Sequence, residues 1–296
     1  MRTRPTTDRP PFGVRTHVVA ALLALLALPA LCGPAPAGGQ PAAEAVRPAL
    51  PAVLAGAGAR ARADTPVARP FFLGERLEYR VRVAKVGNVG RVAMWVEGPV
   101  DVRGTETYLL RFDFKARVGP VKAEDRTWSW IDPLRMAVHR FKKHERHPLS
   151  RHDEEVELFP SEQRWQAASG ESGASPENAP LDELSFMYFI RTLAFTPDTV
   201  YRFDRHFDAA RNPTTVRVLG RETVATRAGE FRTVLLEMRV KDPRRYRGEG
   251  VIRINVSDDG RRIPVRIRSS MPVLGSAVMT LESYTHPPQQ HAAAPL

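Results

Sequence analysis

Histidines crowd one stretch of this sequence: His139, His144, His147 and His152, the last followed by Asp153, Glu154 and Glu155. Imidazole nitrogens and carboxylate oxygens are the ligands that zinc and similar divalent ions take, so His144, His147 and His152 form the candidate metal set. A metal-dependent envelope hydrolase is one reading that follows. The spacing departs from the usual pattern. His144-Glu145-Arg146-His147 is one residue short of His-Glu-x-x-His, and Pro148 stops the long helix that would set both imidazoles on one face. The alternative is a solvated, polar hairpin tip.

Other chemistry is sparser. Gly170-Glu171-Ser172-Gly173 has the wrong spacing for a nucleophile elbow and lies in a polar loop, and no glycine-rich phosphate cradle occurs. Neither a set of catalytic residues nor a cofactor is expected. Trp128 and Trp130, two apart on one strand face, are a candidate platform for sugar or lipid, or else a packed inner face. Tyr188 and Arg191 complete the candidate ligand set. Arg191 suits either a bidentate fork on a carboxylate or phosphate, or an ion pair with a sheet acid such as Glu222. Asp258-Asp259-Gly260 reads as turn chemistry, in which Gly260 supplies positive φ.

The elements that position these residues are mostly strands. Leu77, Tyr79, Val81 and Val83 alternate with charged neighbours, and Gly87-Asn88 turns the chain. Further strands are expected over Val89–Val96, Thr107–Ala116 and Val121–Ile131, then over Met136–Lys142, Val156–Phe159 and Gln163–Ala168. Thr199–Phe207, Thr214–Val224, Thr233–Val240 and Ser276–Tyr284 continue the series, together with a hairpin from Ile252 to Ile267. Leu181–Ala194 breaks the pattern: it follows Pro180, carries acids in its first turn, and is apolar on nearly every side. Such a helix is buried. The expected fold is therefore mainly β, a strongly curved antiparallel sheet, half-barrel or open barrel, wrapped around one buried helix. Without βαβ alternation, doubly wound and α/β-barrel enzymes are excluded.

The ends of the chain concern address. Arg2, Arg4, Arg9 and Arg15 precede the apolar run Val18–Ala30, and Ala35-Pro36-Ala37 offers a cleavage site, so residues 1–37 read as a signal peptide for export to the periplasm. The run is shorter than the roughly 20 apolar residues of a membrane span. Cys32, the sole cysteine, raises a lipid anchor as the alternative, but Leu31 before it is larger than that junction requires. Residues 38–69 are an Ala/Pro-rich disordered linker, 70–287 a single β-rich domain and 288–296 a disordered tail.

Removing residues 1–37 lowers the formal charge from +11 to +8. Of 44 basic residues 38 are arginine, and interleaved acids break most basic runs. Nucleic acid is not expected as a partner of an exported chain. A solvated basic surface, or one that meets an anionic envelope component, remains.

Four pieces in order carry a resemblance: Phe72-Leu73-Gly74-Glu75-Arg76-Leu77-Glu78-Tyr79, Asp182 to Arg191, Gly220 to Val224 with Ala228 to Phe231, and Asp258 to Val265. Together they resemble a bacterial family of exported proteins, domain of unknown function 3108. The resemblance implies a periplasmic protein without an established activity. More loosely, the architecture is similar to periplasmic lipoprotein-carrier folds, although a fold does not confer a function. The expected role is non-catalytic binding or envelope assembly, with an apolar ligand or lipoprotein chain held on the concave side beside Leu184–Leu193. A structural module that docks a partner through a sheet edge is the third reading.

Overall fold

The computed structural model describes residues 71–148, 150–241, 249–271 and 275–285. Polar/apolar alternation becomes strand after strand. β1 (Arg76–Val83) buries Leu77, Tyr79, Val81 and Val83 and turns Arg76, Glu78, Arg80 and Arg82 away from the core. On one side of it follow β2 (Gly87–Val102), β3 (Thr105–Val118), β4 (Val121–Asp132), β5 (Ala137–His147), β6 (Ser150–Phe159), β7 (Arg164–Ala167) and β8 (Ser172–Ala174). On the other side lie β14 (Gly275–Thr285), β13 (Pro264–Met271), β12 (Glu249–Ser257), β11 (Gly229–Lys241), β10 (Thr214–Thr226) and β9 (Val200–Phe203). All pair antiparallel in one 14-stranded sheet whose seam joins the first strand to the last.

Register shifts after Val81, Glu97 and Val218 mark bulges that raise local twist and bend the sheet. Gly90 permits a close approach between β2 and β3: a Cβ there would lie 2.1 Å from the Lys115 carbonyl oxygen.

The sheet wraps around α1 (Glu183–Phe189) and the 3-10 turn Ile190–Thr192. Leu184, Phe186, Tyr188, Phe189 and Ile190 are all buried in the core that the strands line. The sheet is not a closed barrel, but a two-residue rung ties its flanks. Val138 of β5 donates its backbone N–H to the Pro180 carbonyl at 2.8 Å, Leu181 donates to Arg205 at 2.7 Å, and Phe207 donates back to Leu181 at 3.0 Å. Arg205 braces the rung through the carbonyls of Ala179 and Met136, at 2.8 and 2.5 Å.

Three sequence expectations change here. The strand expected over Met136–Lys142 continues to His147 and β6 resumes opposite it at Ser150, so the histidines flank a hairpin turn whose arms are held by Lys142–Glu155 (3.1 Å) and Arg146–Asp153 (2.7 Å). The strand expected over Thr199–Phe207 shortens to β9, since residues 205–207 bond to the rung instead. The loop Ser169–Ala179 contributes β8, which pairs with β7. The readings of residues 1–37, 38–69 and 288–296 lie outside the described residues.

Both ends of the helical segment are fixed by buried polar groups. At its start Asp182 Oδ1 accepts from the backbone N–H groups of Leu184 and Ser185, each at 2.8 Å, and Ser185 Oγ accepts from the Asp182 N–H at 2.8 Å. This capping box satisfies donors that the first turn leaves open. Ser129 Oγ donates to the other carboxylate oxygen at 2.5 Å, which ties the cap to β4. At the far end Arg191 forms a two-pronged pair with Glu75, Nη1 to Oε1 at 2.7 Å and Nη2 to Oε2 at 2.8 Å. Both side chains are out of contact with water.

Removing one partner of such a pair strands a charge in the core. Arg191→Met is expected to lower the free energy of unfolding by about 3–5 kcal/mol, read as a lower urea midpoint with an unchanged slope. A loss below about 1 kcal/mol, the scale of an exposed pair, would show the pair to be dispensable.

Burial raises the Asp182 carboxyl to about 7, against the lowering effect of the Ser129 and Ser185 hydrogen bonds. The folded state therefore holds a proton that the unfolded chain releases near pH 4, so this stabilisation is full below that pH and fades as pH rises through 7. Asp182→Asn, which still caps, should flatten the fall in stability between about pH 4 and 7 relative to the parent. Parallel urea titrations across that window would refute the assignment if the two curves kept a constant separation.

Candidate functional site

The sequence-derived site residues fall on opposite faces of the sheet. Strand alternation turns His144 outward, where its ring meets Trp128 edge-on at 5.1 Å between centroids. His147 points inward, its Nε2 2.6 Å from Asp125 Oδ1, with both side chains sealed from solvent. His152 also faces inward, opposite Glu145, with its Nε2 3.5 Å from Glu154 Oε2. The metal set His144, His147 and His152 is therefore corrected: an even-numbered and an odd-numbered position of β5 cannot share a face. Among the described residues no group of three or more His, Cys, Asp and Glu side chains is arranged to hold a metal.

What β4, β5 and β6 present inward is a buried polar belt. Lys143 Nζ lies 2.8 Å from Glu145 Oε1 beside the His147–Asp125 pair. Burial disfavours the Glu154 carboxylate, but the His152 hydrogen bond and the charges of Arg211 and Lys143 outweigh it and hold the carboxyl below its ordinary range. Above the belt, Glu183 at the start of α1 bonds Arg211 at 2.5 Å. His206 Nδ1 accepts the Asp208 N–H at 3.0 Å, and burial pushes the imidazole down to about 4, so it is neutral with its proton on Nε2. Among the described residues, His206 Nε2, His147 Nδ1 and Asp125 Oδ2 have no hydrogen-bond partner. The belt couples strands to helix through paired charges.

Arg191 and Tyr188 belong to the core. Arg191 pairs with Glu75 rather than with Glu222, which instead accepts from Asn255 Nδ2 at 2.7 Å. Its second nitrogen also reaches the Arg261 carbonyl at 3.0 Å. Tyr188 meets Phe71 edge-on at 5.2 Å and lies under the Arg191 guanidinium at 5.4 Å. Neither is open to a ligand.

The tryptophans take the third location. Trp128 and Trp130 face outward, half-buried, while Asp125, Thr127 and Ser129 face in. Register then does what spacing within a strand does not: Arg76 stands opposite Trp95, Trp95 opposite Arg111, and Arg111 opposite Trp128. The row stacks as a ladder across β1 to β4. The Arg76 guanidinium lies 5.0 Å from the Trp95 ring, and Arg111 lies 4.8 Å from Trp95 and 5.2 Å from Trp128. Beside it Arg140 covers Trp130 at 5.6 Å and bonds Glu157 at 2.5 Å. The Arg111 guanidinium lies between two indoles and is ion-paired with Glu97 at 3.3 Å, as Arg76 is with Glu78 at 3.0 Å, so the row joins aromatic surface to arginines of the kind that recognise carboxylate or phosphate. Trp95 and Arg111 escape sequence reasoning because only the register of three strands unites them with Trp128.

Solved structures with a similar backbone include a β-barrel-like protein of domain of unknown function DUF1849 from Brucella abortus. It is 13% identical, with a TM-score of 0.48, over 73% of this chain and 98% of that one. A protein from Bacteroides fragilis with a YmcC-like fold, described as a candidate exported protein, is 12% identical with a TM-score of 0.32, over 73% and 97%. A candidate lipoprotein from Parabacteroides distasonis is 10% identical with a TM-score of 0.32, over 73% and 98%. No curated protein matches the sequence. A family model described as protein of unknown function (DUF3108) matches residues 78–282. That span holds the helical segment, the Gly220 strand and the 258–265 hairpin in full, and Glu78-Tyr79 of the domain-start piece. The chain belongs to the DUF3108 family of proteins of unknown function.

Proposed function

We propose that this protein is an exported, non-catalytic binding protein of the cell envelope, and that it holds an anionic glycolipid on the outer face of its sheet. The observation that carries the reading is the ladder Arg76–Trp95–Arg111–Trp128, with spacings of 5.0, 4.8 and 5.2 Å. Indole surface suits sugar rings and acyl carbons, and clamped guanidinium groups suit phosphates. The reading of residues 1–37 as a signal peptide supplies the compartment. Within the fold, an apolar ligand beside Leu184–Leu193 would have to displace the protein's own Phe186, Tyr188 and Ile190, which are buried there. The outer face needs no such rearrangement.

Binding that rests on exposed cations is screened by salt. The full chain is expected to co-sediment with vesicles containing lipopolysaccharide at about 0.05 M ionic strength and to dissociate towards about 0.5 M, as the screening length shrinks below 5 Å. Arg111→Gln and Trp128→Ala should each weaken the association severalfold while costing about 1 kcal/mol of stability, the scale of an exposed cation–π contact. Association that ignores salt, or survives both substitutions unchanged, would sink the proposal.

A further inference from the structure

The turn after β12 and the chain leaving the 3-10 turn Ile190–Thr192 border an open groove of about 440 Å³. Its walls include Phe195, Ser257 and Asp258, and two arginines, Arg221 and Arg262. Arg262 is unusual in two respects. Its backbone φ is +48°, a left-handed conformation uncommon for a residue with a side chain. Its guanidinium lies over the Phe195 ring at 4.5 Å and donates through Nη1 to the carbonyls of Arg191 and Leu193, at 2.8 and 2.5 Å.

Those two bonds complete the end of the helical segment and use one nitrogen. The guanidinium has no acidic partner within ion-pair distance among the described residues. By contrast Arg261, its neighbour, is engaged with Asp259, and Arg221 meets Asp258 at 2.8 Å from the opposite wall. Of the two guanidinium groups in the groove, Arg221 is paired with Asp258, while Asp259 is paired with Arg261, which leaves Arg262 as the one without an ion pair among the described residues. An arginine fork next to a second guanidinium is an anion receptor by charge and by hydrogen-bond geometry.

We infer that this groove binds a compact oxyanion of the phosphate class, with Arg262 as the anchoring fork and Arg221 as the second cation. A free phosphate and the headgroup of a phosphomonoester lipid share this chemistry. The site is separate from the outer-face ladder, so its failure leaves the glycolipid reading standing, and the reverse.

The test is calorimetric titration of the full chain with inorganic phosphate at constant ionic strength, and in parallel with vesicles containing phosphatidic acid. Saturable binding is expected with at least one titrant, reduced tenfold or more by Arg262→Gln and severalfold by Arg221→Gln. Arg202→Gln, an exposed arginine elsewhere, should leave it unchanged. Response to phosphate alone marks a free anion, and response to the vesicles alone marks a headgroup; both support the site. If Arg262→Gln fails to fold, Arg221→Gln decides, because its half-exposed side chain bears on no helix carbonyl. Binding that both substitutions leave intact, or the absence of saturable binding to either titrant, would overturn the inference.

Discussion

The ion pair between Arg191 and Glu75 is the constraint that the other elements obey. Two charges removed from water are tolerable only when geometry is close to ideal and the remaining donors find acceptors. Here the fork is two-pronged, and the Arg261 carbonyl takes a further bond. To supply those partners, the chain before β1, the end of the helical segment and the turn after β12 must all arrive at one place. Arg262 then crosses back to the carbonyls of Arg191 and Leu193, and Tyr79 donates to the Pro264 carbonyl at 2.8 Å. Three of the four sequence pieces that resemble the family are therefore parts of one junction. The fourth touches it through Arg221 and Asp258.

Burial and polarity are divided between the sheet's two faces in a way that simple hydrophobicity does not anticipate. Around α1 the inner face is apolar, whereas along β4 to β6 it carries charges that satisfy one another. The outer face takes the tryptophans, because the inward positions beside them are needed for Ser129 to reach the Asp182 cap and for Asp125 to reach His147. Aromatic surface left outside is then covered in part by arginine, which shields the rings while keeping charge at the surface.

Period-two alternation made the β class, the curved sheet and the buried helix legible in residues such as Leu77 to Val83 and Leu181 to Arg191, since both signals are local. Partnership was not legible. Glu75 lies 116 residues from Arg191 in sequence, and nothing near either names the other, so Glu222 appeared equally suitable. For Trp128 and Trp130 alternation showed that they share a face, but which face is decided by contacts from distant segments. The histidine stretch misled for a related reason: charged residues suggested a loop, yet in β5 and β6 the charges pair across strands and extend the ladder. Proximity in sequence placed His144 beside His147, and strand geometry put them on opposite sides.

The seam between β1 and β14 has a consequence for how the molecule comes into being. Each flank of the sheet is a meander of neighbouring strands, able to zip progressively from local turns. Strand to strand, the flanks join where the earliest-made strand pairs with the latest, Leu77 opposite Tyr284 and Val81 opposite Met279. Closing that seam spans nearly the whole domain, so the entropy of the intervening chain opposes it until both meanders have formed. A ribosome or translocation channel that still holds the last strand withholds the mate of the first. Until release, β1 has an unpaired edge and an uncovered apolar face, which makes the final few residues of the sheet the timekeeper for the entire assembly.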